Sequence, residues 1–486
     1  MEAAAAQTLV SVSTDHRQTV REACDAIRKA LETSTRSKGM AVELFPFGST
    51  ISGFAVEEDC DVDLNCNCEP HPDDMHLRPE KHMKATVKRA RDALTAHGGA
   101  TKMVAILSAR VPILKFNLSV DSRTAVPVDM CFNNLNGCRN SELLRRLASA
   151  EPRFRPLAML IKLWAKRRGL VDSPGHFFSS YALVLLVARF LQQRNVLPKG
   201  ANFRTLAGQV AEFSPTANGA SPASTRQQTN KWIEESPVPE TSAETLQQNW
   251  APRCLPSEVE TAIRGMVAAE PSLNAKKVFS KVMEQFGETT HKGAVTPKDI
   301  RALLASIKSG EPLTGNETVI DLLRAFFTAH AKSDAHKFVI SLLNEEPTVT
   351  KQSKGWVDIK GAKSNPSRRY AIEDPLETDF DTARMLNATT MKTIRFEFSR
   401  ADRILSGWVE GEEAEAKVVL AELLRSSEEE NKAEAAADKD KEEDGEVEGE
   451  EEGEGEAHEE AFDLDADDDE EEEAALAEKV EAVAVS

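Results

Sequence analysis

The chain is poor in tyrosine and cysteine, with two of the first and seven of the second in 486 residues. The cysteines (24, 60, 66, 68, 131, 138 and 254) are odd in number and follow no framework spacing, which excludes a disulfide-stapled secreted scaffold. No apolar core of a signal peptide opens the sequence, and the early acids Glu2 and Asp15 run against an Arg-rich presequence. A cytoplasmic protein with reduced thiols is expected. The longest strongly apolar stretch, Tyr181–Val187, is far short of the roughly 20 residues of a membrane helix, so no membrane partner is expected.

The formal net charge of -20 is unevenly spread. From Glu428 to Ser486 there are 29 acids against 4 lysines, whereas the rest of the chain carries 56 bases and 51 acids. The tail (428–486) reads as a disordered acidic segment, and the mildly basic body permits nucleic-acid binding.

What the sequence does have is concentrated in residues 44–64. Leu44, Phe45 and Phe47 lead into a Gly48-Ser49 turn, and Val62 and Leu64 alternate with Asp61 and Asp63. On a strand, residues two apart share a face, so the two acids stand side by side in the manner that holds a divalent cation over a phosphate. The Gly-Ser turn offers backbone N–H groups and a hydroxyl to an anion. Arg110–Phe116 and Val126–Asn134 read as neighbouring strands, the second bringing a third carboxylate, Asp129. Cys66-x-Cys68 with His71 and His76 admits a zinc site, but the spacing is tighter than usual, and thiols on a strand and its exit loop explain it as well.

Around this core the periodicity predicts an amphipathic helix over 9–35, a charged helix over 79–97, strands at 103–107, 110–118 and 125–132, and packed helices from Ser141 to Leu191. Residues 213–254, rich in Ser, Thr, Asn, Gln and Pro, read as a flexible linker. Residues 255–308 form a small helical insertion, with Ser257 and Thr296 as N-caps. Helices resume near Thr318 and at 392–404.

In combination these motifs resemble the polymerase β-type nucleotidyltransferases: Gly48-Ser49, eleven residues, Asp61-Val-Asp63, then Asp129. Asn136–Leu144, Pro152–Leu157, Leu160–Leu170, Ser179–Leu185 and Ile372–Glu377 are similar to RNA terminal uridylyltransferases and the related template-independent poly(A) polymerases. The resemblance covers roughly 40–200 and 318–405. It implies an α+β protein: a nucleotidyltransferase domain with a small mixed sheet at 41–140, and a helical poly(A) polymerase-associated domain at 141–212 and 316–410. An N-terminal helix (1–40) is expected to pack on the helical domain.

The resemblance further implies Asp61, Asp63 and Asp129 as catalytic, Mg²⁺- or Mn²⁺-binding residues, with Gly48 and Ser49 holding the triphosphate. Asn140 would face the ribose, Lys162 and Lys166 the outer phosphates, and Ser180 a phosphate or ribose. Tyr181 would stack on the base, Asp374 and Glu377 would read it, and Arg110 would touch the RNA. The implied reaction adds UMP to RNA 3′ ends with release of pyrophosphate, with ATP and poly(A) addition as the alternative. An answer of another class is a non-catalytic RNA-binding scaffold. The expected partners are an RNA 3′ end, UTP or ATP, and a protein for the 255–308 insertion or the tail, with the enzyme itself a monomer. Phe380 stands where uridylyltransferases often place a histidine, and Cys60 where Ser or Gly is usual.

Overall fold

The computed structural model describes residues 1–12, 15–33, 42–56, 61–69, 74–119, 125–215, 222–237, 242, 244, 257–270, 273–286, 300–301, 303–304, 317–332, 338–344, 349–356, 369–408 and 413–430. Its strands are β1 (Val42–Phe47), β2 (Val62–Cys68), β3 (Ala100–Ile106), β4 (Ile113–Ser119), β5 (Ala125–Phe132), β6 (Val339–Ile340) and β7 (Ala371–Ile372). The longer helices are α1 (Glu2–Val12), α2 (Arg17–Thr33), α3 (Gly48–Ser52), α4 (Pro79–His97), α5 (Asn136–Ala150), α6 (Phe154–Arg167), α7 (Ser180–Gln193) and α8 (Gly200–Ala211). They continue as α9 (Pro222–Glu234), α10 (Ser257–Ala269), α11 (Ala275–Phe286), α12 (Val319–Ala331), α13 (Ala388–Ser406) and α14 (Glu413–Leu423).

Period-two alternation decides which way the sheet faces. In the order β1-β2-β5-β4-β3, the register sets Val62 beside Val128, Leu64 beside Met130, and Phe116 beside Val128. These side chains are buried under α2 and α4, whose Val20, Ile27, Val87, Ala90 and Leu94 complete one apolar core. The opposite face is left to the residues between them: Asp63, Lys115 and Asp129. Only β2 and β5 run parallel in this sheet, and that pairing aligns Asp63 with Asp129.

The second lobe is helical. Residues of α1, α5–α8 and α12–α14 share one core, in which Trp164 lies edge-on to Phe327 at 4.8 Å and stacks on Phe398 at 5.4 Å. Within the insertion, α10 and α11 with Ile300, Leu303 and Leu304 bury a separate small cluster around Ile263 and Val278. Ser257 is the first helical residue of α10, while Thr296, Cys60, His71, Cys254 and the tail beyond Glu430 lie outside the described residues.

Two expectations need correction. The N-terminal segment is two helices, not one on the helical lobe. Ala4, Ala5, Ala6 and Leu9 of α1 join the helical core, whereas Val20, Ala23, Ile27 and Leu31 of α2 pack under the sheet. Nor is 213–254 a linker throughout, because α9 covers the sheet's edge. The outward carbonyls of β1 are taken one after another. Arg28 Nη1 donates to Val42 O (3.0 Å), Thr229 Oγ1 to Leu44 O (2.8 Å) and Trp232 Nε1 to Pro46 O (2.7 Å). An exposed strand edge is thereby satisfied by side chains, which a polar helix can do and an apolar one cannot.

Candidate active site

The site is built where β1 turns into α3. Phe47 pairs with Asp63, and Gly48 then adopts φ +81°. A Cβ on Gly48 would sit 2.0 Å from Asp63 Oδ2, so only glycine lets the backbone lie against that carboxylate. The Gly48 N–H, expected to face a phosphate, donates instead to Ser141 Oγ (2.9 Å). Ser141 in turn donates to Gly137 O (3.0 Å), which ties the turn to the start of α5. Gly137 is equally constrained, since a Cβ there would meet the Phe47 ring at 2.5 Å.

A cleft of about 310 Å³ opens above this turn. It gathers Gly48, Ser49, Asp61, Asp63, Asn140, Lys162, Ser180 and Tyr181 from five separate stretches of chain. Lys162 is buried on the inner side of α6 and donates to Phe54 O (3.2 Å). Ser180 and Tyr181 open α7, whose first turn is capped by Ser179 Oγ accepting from Ala182 N–H (3.1 Å). The Tyr181 hydroxyl and Asn140 Oδ1 are buried without a hydrogen-bond partner among the described residues. Groups left in that state cost free energy unless a ligand meets them. Burial, with Asp374 and Glu377 nearby, holds the Tyr181 phenol well above its ordinary pKa.

The segment expected to read the base, Ile372–Glu377, closes one end. Asn140 Nδ2 reaches Asp374 Oδ2 at 3.5 Å, and Asp374 Oδ1 accepts the N–H groups of Leu376 (2.9 Å) and Glu377 (3.2 Å). Burial raises Asp374 to about 6 despite those donors. The segment is framed by the parallel pair β6–β7, by the Arg369–Asp381 ion pair (2.5 Å), and by Glu373 contacting Lys354 and Ser341. Asp381 is structural, accepting from Ile372 N–H (3.0 Å) and Ala383 N–H (2.9 Å).

Of the expected residues, Arg110, Asp129, Lys166, Asp374 and Glu377 are not among those that line this cleft. Lys166 lies one helical turn beyond Lys162, half-buried and outside the cleft lining. Arg110 makes a bidentate pair with Glu377 (2.7 and 3.1 Å), which holds Glu377 below the usual carboxylate range. The same guanidinium lies 4.1 Å from the Phe380 ring centroid, with Arg384 at 4.5 Å from that ring. Lys115 was missed from the sequence. Its Nζ is 2.5 Å from Asp129 Oδ2, because β4 sets it directly opposite Asp129. Alternation along β4 carried that signal, once β4 is paired with β5.

The carboxylates suit a hard divalent cation. Asp63 is pushed up to about 7, first by burial and then by Asp129 and Asp61, with Lys162 and Lys115 offsetting only part of this. Oxygen donors held so close favour Mg²⁺ or Mn²⁺. Among the described residues no three His, Cys, Asp or Glu side chains already converge as an ion's ligands. Asp63 and Asp129 form the aligned pair, and Asp61 lines the same cleft, exposed just before β2.

Strand order, aligned aspartates and the Gly-Ser turn are those of the polymerase β-like fold. The family models for the poly(A) RNA polymerase, mitochondrial-like, central palm domain and for the Cid1 family poly A polymerase match residues 5–149 and 318–380. Poly(A) RNA polymerase cid11 of Schizosaccharomyces pombe is 34% identical over 178 residues, 36% of this chain and 34% of the relative. Poly(A) RNA polymerase GLD2 of Danio rerio is 33% identical over 172 residues, 35% and 33% of the two chains. The matched region spans about a third of the length of these curated relatives. Among solved structures, mtPAP in complex with ATPγS superposes with a TM-score of 0.53 at 18% identity, covering 87% of this chain and 72% of the other. A cytoplasmic RNA terminal U-transferase gives 0.50 at 19% identity, covering 85% and 95%. Over residues 5–149 and 318–380 the chain is similar to the poly(A) RNA polymerases that these two family models describe.

Proposed function

We propose that this chain transfers a nucleotide from an NTP to the 3′ end of RNA, without a template, and releases pyrophosphate. One observation carries the reading: the parallel register that sets Asp129 beside Asp63, which itself lies against the Gly48 turn and lines the cleft with Lys162. Lys162 would take the charge of the outer phosphates from inside the lobe, where an ammonium is held in a largely water-free wall. Asn140 and Tyr181 would spend their unpartnered polar atoms on the nucleoside. Asp129 would orient the RNA hydroxyl and accept its proton, with Lys115 holding that carboxylate in position. A divalent ion held by Asp61, Asp63 and Asp129 supplies charge neutralisation at the α-phosphate and lowers the hydroxyl's pKa. The relatives named above as poly(A) RNA polymerases support the same reaction class.

For the base we place ATP ahead of UTP, although Glu373-Asp374-Pro375 and Glu377 lead the sequence toward UMP. The specific observation is Phe380. Its ring lies between two guanidiniums and offers no donor to a uracil carbonyl, while the Asp374 carboxylate accepts an N–H from either base. We also propose a cytoplasmic monomer; the five described cysteines are free thiols. Cell fractionation and sedimentation check those two points. The direct experiment is extension of a labelled short RNA with each of the four NTPs and Mg²⁺ or Mn²⁺. ATP is expected to be used best. Predominant UTP use overturns the base assignment, and no incorporation of any NTP overturns the enzymatic reading in favour of an RNA-binding scaffold.

A further inference from the structure

A second cleft, of about 500 Å³, adjoins the first. The two share the opening turn of α5 as a wall: Asn136 lines the second, while Gly137, Asn140 and Ser141 line the first. The Arg110–Glu377 pair belongs to the second cleft as well. Its floor is apolar, with Met83, Val111 and Phe132, and its polar rim carries Asn133, Asn134 and Lys84.

Lys84 is where the cleft meets α4. That helix turns Val87, Ala90, Ala93 and Leu94 into the sheet's core, which leaves Lys81, Lys84 and Lys88 exposed at helical spacing on its outer side. None of the three ammoniums has an acidic partner among the described residues, although α4's Arg89 is paired with Asp74 (2.7 Å) and Arg91 with Asp92 (3.0 Å). Seven residues of helix place Lys81 and Lys88 about 10 Å apart, enough to follow consecutive phosphates of one extended strand. Three unneutralised cations running out of a cleft with an apolar floor and amide rim match single-stranded RNA. An acidic peptide would leave the apolar floor without a partner.

We infer that the RNA upstream of the reacting 3′ end leaves the active site through this second cleft and runs along the Lys81–Lys84–Lys88 face of α4. The inference rests on the proposed RNA reaction, but its test reads binding and not turnover. Each lysine that meets a phosphate of a single strand adds about 0.7 to the slope of log affinity against log salt. Lys84→Ala with Lys88→Ala therefore lowers the slope by about 1.4, so between 50 and 200 mM salt the wild type loses about sevenfold more affinity than the variant. Binding of a labelled 15-nucleotide RNA is measured across that range, with Lys392→Ala on α13 as a remote control. A tetranucleotide is compared in parallel. The expected result is a reduced slope for the longer RNA, little change for the tetranucleotide, and an unchanged KM for the NTP. An unchanged slope, or equal losses on both RNAs, overturns the inference. A wild-type protein that binds RNA with the full slope yet incorporates no nucleotide overturns the proposed reaction and leaves the track standing.

Discussion

Replacing Gly48 by alanine probes the site where backbone and chemistry meet most closely. Two costs follow from the structure. At φ +81° an L side chain carries strain of about 1–2 kcal/mol. More serious is the contact, because the new Cβ would lie 2.0 Å from Asp63 Oδ2 and 2.9 Å from its Cγ, whereas ordinary contact begins at 3.4 Å. Either the carboxylate or the turn must move by more than 1 Å. The Asp63 carboxylate can escape only by rotating away from the position it holds against the turn, and the turn cannot lift without losing the Gly48 N–H bond to Ser141. A misplacement of about 1 Å in a reacting constellation costs on the order of 100-fold in rate. Gly48→Ala is therefore expected to keep its fold, with a melting temperature lowered by a few degrees, and to lose about 100-fold or more in nucleotide incorporation. The assay is single-turnover RNA extension beside a melting curve. Incorporation within threefold of wild type would refute the claim that the Gly48 backbone and Asp63 form one rigid unit.

Other consequences concern the scaffold. Trp232→Ala should destabilise the nucleotidyltransferase lobe by about 3–5 kcal/mol in urea unfolding, since it removes a ring 5% exposed and the donor that satisfies Pro46 O; a loss below 1 kcal/mol would show that α9 does not hold the sheet edge. His330 lies against Phe326 (4.2 Å between rings), donates Nδ1–H to Phe326 O, and is held by burial near 4, below its ordinary 6.5. The unfolded chain then binds the extra proton first, so the stability this neutral ring contributes is complete above about pH 6.5 and falls as pH drops toward 4. By pH 5 the wild type should lose about 2 kcal/mol more than His330→Phe, with no difference between their pH responses above pH 7. Arg168 pairs with buried Glu397 (2.7 Å) and also with Glu430 (2.5 Å), so in urea unfolding Glu397→Ala alone should cost about 1–3 kcal/mol, and Glu397→Ala with Glu430→Ala, which leaves the guanidinium uncompensated, about 3–5 kcal/mol.

Much of this architecture is legible in the residues. Pro79–His97 and Ala125–Phe132 announce α4 and β5 with their ends in place, because their periodicity is clean and their flanks polar. The aligned aspartates follow from two strands whose apolar partners alternate with them. What escapes is whatever depends on a distant chain segment. Residues 222–234 carry no apolar stripe, since the helix buries chiefly Thr229, Trp232 and Ile233, and its task is to cap carbonyls some 185 residues away in sequence. Lys115 looks like any exposed lysine until the β4–β5 register sets it on Asp129. Arg110 carries a charge that suits RNA, and nothing near it in sequence reveals Glu377 and Phe380, 267 and 270 positions on. The split of the N-terminal segment into α1 and α2 is hidden for the same reason: both helices are apolar enough to pack, but on different lobes.

The central claim is that Asp63 and Asp129, set side by side by one parallel strand pair, carry nucleotide transfer to RNA. It is tested most directly by extension of a labelled RNA by the wild type, Asp63→Ala and Asp129→Ala, with melting curves and RNA binding measured on the same preparations. The account predicts that either substitution removes incorporation by at least about 1000-fold while fold and RNA binding persist. Extension at a rate comparable to wild type by either variant would contradict it.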